Sequence, residues 1–133
     1  MRKLILSFAL FGFAWSGYAQ STSNESLSLQ ACQADTIVFS FDITSPFNIG
    51  NTFSVEMSDA SGNFTGNFVS TNALLAYGVS VGNEIDVLVP DNATQGVYKF
   101  RMISSNPVLI SDTINNVTFL RGPSDFAANS SSL

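Results

Sequence analysis

Residues 84–107, EIDVLVPDNATQGVYKFRMISSNP, constrain the fold more than any other stretch. Ile85, Val87 and Val89 alternate with Asp86 and Leu88, and Pro90 ends the run. Beyond a polar turn, Tyr98, Phe100 and Met102 alternate with Lys99 and Arg101, and Ser104-Ser105-Asn106-Pro107 closes the second run. A period of two sends successive side chains to opposite faces, so these runs predict two half-buried antiparallel strands. Other segments must then cover the apolar face of this pair.

The chain supplies them. In residues 36–43, Ile37, Phe39, Phe41 and Ile43 fall on one face, with Val38, Ser40 and Asp42 on the other. Residues 52–58 follow the same rule, with Phe53, Val55 and Met57 inward. After a turn at residues 59–63, residues 64–71 read as a shorter edge strand. Residues 72–83 carry apolar area without clean caps, and residues 108–110 and 117–120 read as a broken last strand. Leu27 and Leu29 suit a short first strand. About seven strands, with turn signals roughly every 8–12 residues and no helix beyond the N-terminal segment, predict an all-β, two-sheet antiparallel sandwich.

Residues 1–19 read as a secretory signal peptide. Arg2 and Lys3 precede an apolar run from Leu4 to Trp15, and Ser16-Gly17-Tyr18-Ala19 offers small residues before a cut at Gln20. The run is shorter than the ~20 residues of a spanning helix, so no transmembrane span is expected after cleavage. Residues 20–31 then read as a flexible leader, 32–121 as the sandwich, and 122–133 as a serine-rich linker or truncated continuation. Leu29-Gln30-Ala31-Cys32 makes a poor lipoprotein box, because residues 20–28 separate it from the apolar run and Gln30 suits its position badly. Lipidation is rejected on those grounds.

Composition narrows the function classes. Cleavage leaves Lys99, Arg101 and Arg121 against ten acidic residues, so no basic stripe exists to neutralise a nucleic acid. Charged residues make up 11% of the chain, against roughly 25% in average proteins, and Ser, Thr and Asn supply the polar surface instead. With no histidine, neither a Ser-His-Asp triad nor an activated Cys32 can be assembled. One cysteine and no histidine exclude an ordinary zinc site. Cys32, alone in an exported chain, is a free thiol, half of an intermolecular bridge, or a small buried side chain.

Several patterns suggest chemistry only superficially. Asp59-x-Ser61-x-Asn63 looks like the start of a calcium loop, but Phe64 stands where glycine is needed and Ser70 where an acid is needed. A hairpin turn explains the same residues. Glu84 and Asp86 share one strand face, whereas a glycosidase pair faces across a cleft; a solvated face is the reading. Sequons at Asn24, Asn63, Asn92, Asn116 and Asn129 are what chance gives in a chain so rich in Asn, Ser and Thr. Tyr77 is a candidate ligand contact, since Trp15, the one tryptophan, leaves with the signal peptide.

Gly96-Val97-Tyr98-Lys99-Phe100 resembles the Gly-x-Tyr-x-Cys corner of immunoglobulin-like domains, with Phe100 in place of the second cysteine. The resemblance implies that the Tyr98 hydroxyl returns to upstream backbone, and that phenylalanine packing replaces the disulfide. A closer resemblance is to immunoglobulin-like modules of surface and secreted proteins from gliding-type Gram-negative bacteria, many of them type IX secretion substrates. It rests on Gly50-Asn51-Thr52-Phe53, the Met-Ser-Asp-x-x-Gly-x-Phe run from Met57 to Phe64, the run from Val89-Pro90 to Phe100-Arg101, and Ser104-Ser105-Asn106-Pro107-Val108. In such exported proteins, Asp35-Thr36-Ile37 and Asp112-Thr113-Ile114 look like O-glycosylation signals, which makes Thr36 and Thr113 candidate acceptors.

The expectation is thus a secreted or cell-surface, non-catalytic, immunoglobulin-like structural or adhesive module without cofactor. Its partners would be other domains of a longer chain, or cell-surface proteins or glycans. The alternative is a carbohydrate-binding accessory module of a larger secreted hydrolase.

Overall fold

The described residues of the computed structural model are 19–120, so the expected signal peptide and the serine-rich segment after Leu120 lie outside them, Ala19 apart. Eight strands form: β1 (Ser21–Ser26), β2 (Gln30–Cys32), β3 (Thr36–Ser45), β4 (Thr52–Met57), β5 (Leu74–Leu75), β6 (Ser80–Leu88), β7 (Gly96–Ser104) and β8 (Ile114–Leu120). One sheet has the order β1-β3-β6 and the other β2-β8-β7-β4-β5, with no helix among the described residues. The chain is all-β.

The alternation rule holds at the central strands. Phe39, Phe41 and Ile43 of β3 are buried, as are Ile85 and Val87 of β6, Phe53 and Val55 of β4, and Phe100 and Met102 of β7. The two inner faces meet in a phenylalanine core. Phe53 sits 4.9 Å, centroid to centroid, from both Phe41 and Phe47, and Phe119 lies 6.1 Å from Phe100. Each such side chain contributes about 1.5–3 kcal/mol by leaving water.

β6 and β7, the two runs of the central stretch, do not pair with each other. β6 pairs with β3, and β7 lies between β4 and β8. The connection is longer than a hairpin loop, and Pro90 cannot donate to a ladder. Instead, Val89 N–H bonds Asp35 O (2.9 Å) and Ala93 is buried, so the chain folds over the end of the sandwich and enters the opposite sheet.

The segment expected as a flexible leader holds two strands. β1 is antiparallel to β3, and β2 is parallel to β8, so the N-terminal segment serves both sheets. Residues 64–71 do not form the expected edge strand. Val69 N–H bonds Val55 O of β4, while Leu88 N–H of β6 bonds Val69 O (3.0 and 2.9 Å). A segment shared between both sheets cannot keep a continuous ladder with either; it closes that side of the sandwich. Of the broken last strand, residues 108–110 keep only the bridge Ile103↔Ile110.

Three stretches with an open edge are each interrupted by a left-handed residue. Asn24 (φ 56°) lies in β1, Gly82 (φ 66°) in β6 and Asn116 (φ 63°) in β8, each at a break in register. Such bulges bend a strand and stop another chain from extending the sheet.

Candidate functional site

Three loops meet at one end of the sandwich, where β3 ends and β4 begins. They are residues 46–51, 76–79 and 105–113, and asparagines tie them together. Asn51 is fully buried; its Oδ1 accepts Ser105 N–H (3.0 Å) and Asn106 N–H (2.8 Å), and its Nδ2 donates to Ala76 O (3.1 Å). Asn48 Nδ2 donates to Asn106 Oδ1 at 2.8 Å, and Phe47 N–H to Tyr77 O at 2.8 Å. Two segments on which the family resemblance rests, 50–53 and 104–108, are thus bonded to each other through Asn51.

The framework is satisfied inside and apolar outside. Ile49 is 84% exposed, Val108 71% and Tyr77 45%, with Leu75 and Val79 also exposed. Residues 46–51, 72–81 and 105–110 contain no Asp, Glu, Lys or Arg. Aliphatic groups held out on a rigid, chargeless frame can bind apolar or neutral partners; they offer no acid, base or nucleophile. Sequence reasoning singled out Tyr77 alone, although the missing charges were readable.

Two hollows flank this end. One, about 260 Å³, opens between β1 and residues 109–112, where Phe47, Phe53 and Met102 are reached past Thr22, Glu25 and Asp112. The other is a groove of about 310 Å³ on the outer face of β4 and β7, where Ser54 and Ile103 lie between Phe68 and Val108.

The remaining sequence candidates are dispersed. Tyr98 Oη donates to Thr94 O at 2.9 Å, and its ring stacks on Phe119 at 4.5 Å, while Gly96 and Phe100 flank it on β7. Thr36 opens β3 beside Leu88 and Thr113 precedes β8; both are exposed, at opposite ends of the sandwich. Glu84 and Asp86 are exposed on β6. Cys32 is a free, half-buried thiol on β2.

Asp59 is occupied by its own turn, with Oδ1 accepting Ser61 N–H (2.9 Å) and Asn63 N–H (2.8 Å). The Asn63 bond is the main cause holding its carboxyl below the usual range. Asp42 is likewise lowered, first by Asn24 and then by Gly82 N–H. Among the described residues, no group of three or more His, Cys, Asp or Glu is placed to hold a metal ion.

One cluster escaped the sequence reading. Glu56, on the outer face of β4, is only 2% exposed because residues 58–67 fold over it. Its Oε1 accepts Gly66 N–H (2.6 Å), its Oε2 takes the Arg101 guanidinium, and Arg101 lies over the Phe64 ring at 4.0 Å. This is a latch for the loop, with every group already engaged.

Searched against known families, curated proteins and solved structures, the chain shows no match.

Proposed function

We propose that this chain is an exported, non-catalytic, immunoglobulin-like module that acts by surface contact as a structural or adhesive part of a cell-surface or secreted protein. The observation that carries the contact role is the chargeless end, where Ile49, Leu75, Tyr77, Val79 and Val108 stand exposed on loops tied through Asn51. Grouped apolar exposure of this kind marks interaction sites.

The immunoglobulin-like assignment draws on topology. β1-β3-β6 follows the A-B-E order, and β4, β7 and β8 follow C-F-G. The Tyr98–Thr94 bond fits the tyrosine corner at the start of the sixth such strand. Export, including the type IX route, is supported by the N-terminal sequence and the family resemblance. The bulges in β1, β6 and β8 favour contact through loops over strand addition at an edge. A non-catalytic role agrees with Glu56, the buried carboxylate among the described residues, being spent on Arg101 and Gly66.

Exposed Tyr77 favours the second reading, a carbohydrate-binding accessory module of a secreted hydrolase. Retention of the exported protein on the envelope of its own cells separates the two. A contact module is released by Ile49→Asp with Val108→Asp and ignores soluble glycans. A carbohydrate module shifts in a glycan affinity gel and loses that shift with Tyr77→Ala. Turnover of any substrate by the purified protein would end the non-catalytic reading.

A further inference from the structure

We infer that the chargeless end seats on a lipid bilayer surface with neutral headgroups. This rests on the contact reading above and names its partner. Polypeptide before Ser21 leaves the domain at this same end, because β1 begins there, with Ser21 opposite Ser45 at the close of β3. In sequence, only residues 16–20 separate the apolar run ending at Trp15 from Ser21. Five residues span at most about 17 Å. While that run lies in a membrane during export, the end carrying Ile49, Tyr77, Val79 and Val108 is the part of the domain nearest the bilayer.

The chemistry of the end fits that neighbour. Bringing a charge to an apolar interface is costly unless it is paired, and these loops present none. Their exposed side chains stand on three loops braced by Asn51 and Asn48, so insertion requires little new ordering of the backbone. Tyr77, with an apolar ring and a polar tip, suits headgroup depth. Electrostatic attraction to anionic lipid is absent: the described basic residues, Lys99 and Arg101, lie on β7 away from these loops, and acidic residues outnumber basic ones over the whole chain. Association therefore depends on apolar area and is insensitive to salt. A flat docking partner, such as a second copy, is a poorer fit for apices projecting from separate loops.

The test uses the exported protein, with the N-terminus that export leaves, and vesicles of phosphatidylcholine alone or mixed with phosphatidylglycerol. Val108→Trp is expected to show a blue-shifted emission on adding phosphatidylcholine vesicles, at low and high salt alike. Val97→Trp, exposed at the opposite end of β7, is expected to show none. Ile49→Asp and Val79→Asp should each weaken vesicle partitioning by about tenfold or more without changing the unfolding midpoint. The inference is overturned by an unshifted Val108→Trp emission, by binding that needs phosphatidylglycerol, or by concentration-dependent dimerisation that the same aspartates abolish. Envelope retention without vesicle binding would remove the bilayer and leave the contact role standing; loss of both would remove both.

Discussion

Glu56 and Arg101 face each other across the β4–β7 ladder, and Nε and Nη2 of the arginine converge on one carboxylate oxygen, Oε2, at 2.8 and 2.7 Å. That leaves Oε1 free for Gly66 N–H, so one acid pins a strand on one side and a loop on the other. Removing either partner has unequal effects. Arg101→Ala strands a buried carboxylate and should cost about 3 kcal/mol or more. Glu56→Gln leaves a half-exposed guanidinium with access to water and should cost about 1–2 kcal/mol. Urea unfolding midpoints at constant slope measure the difference. Equal losses would mean that the buried charge is better solvated than its position implies.

Tyr98→Phe removes the hydroxyl bond to Thr94 O but keeps the stack on Phe119. The expected loss is about 1 kcal/mol, read from chemical denaturation. A loss several times larger would show that the ring had moved as well.

The facing of residues was legible because it depends only on period two. Ile37, Phe39, Phe41 and Ile43 needed no tertiary knowledge to be placed inward. Sheet membership was not legible. Two adjacent alternating runs look like a hairpin, and only the tether of Val89 to Asp35 sends β7 to the other sheet. β1 escaped notice because STSNES has no apolar alternation; its pairing with β3 comes from an available edge. Glu56 looked like an ordinary outward residue, and its burial is produced by a loop whose Phe64 read as strand. In the candidate site, Tyr77 stood out as an aromatic. The convergence of residues 46–51, 72–81 and 105–110 needed the fold.

Asn51→Ala leaves the N–H groups of Ser105 and Asn106 and the carbonyl of Ala76 without their partner. A loss of about 2 kcal/mol or more is expected, since unmatched buried groups cost about 1–3 kcal/mol each. Amide exchange should rise first in residues 46–51, 76–79 and 105–110. Uniform exchange across the chain would contradict a local bracing role.

Asp59 sets an acid-side limit for the turn at residues 59–63. Its folded pKa is depressed, so the stabilisation is present above the unfolded pKa and is lost as pH falls through the lower folded value. The Asn63 and Ser61 amide resonances should therefore titrate below the ordinary carboxylate range. Asp59→Asn should abolish that titration. Movement of these signals at higher pH would contradict the assignment.

Amide hydrogen exchange of the exported protein, alone and bound to the envelope fraction of its own cells, tests the contact role most directly. New protection confined to residues 46–51, 72–81 and 105–110 is the result this account expects. Protection along the edges of β1, β6 or β8, or no protection at all on binding, would contradict it.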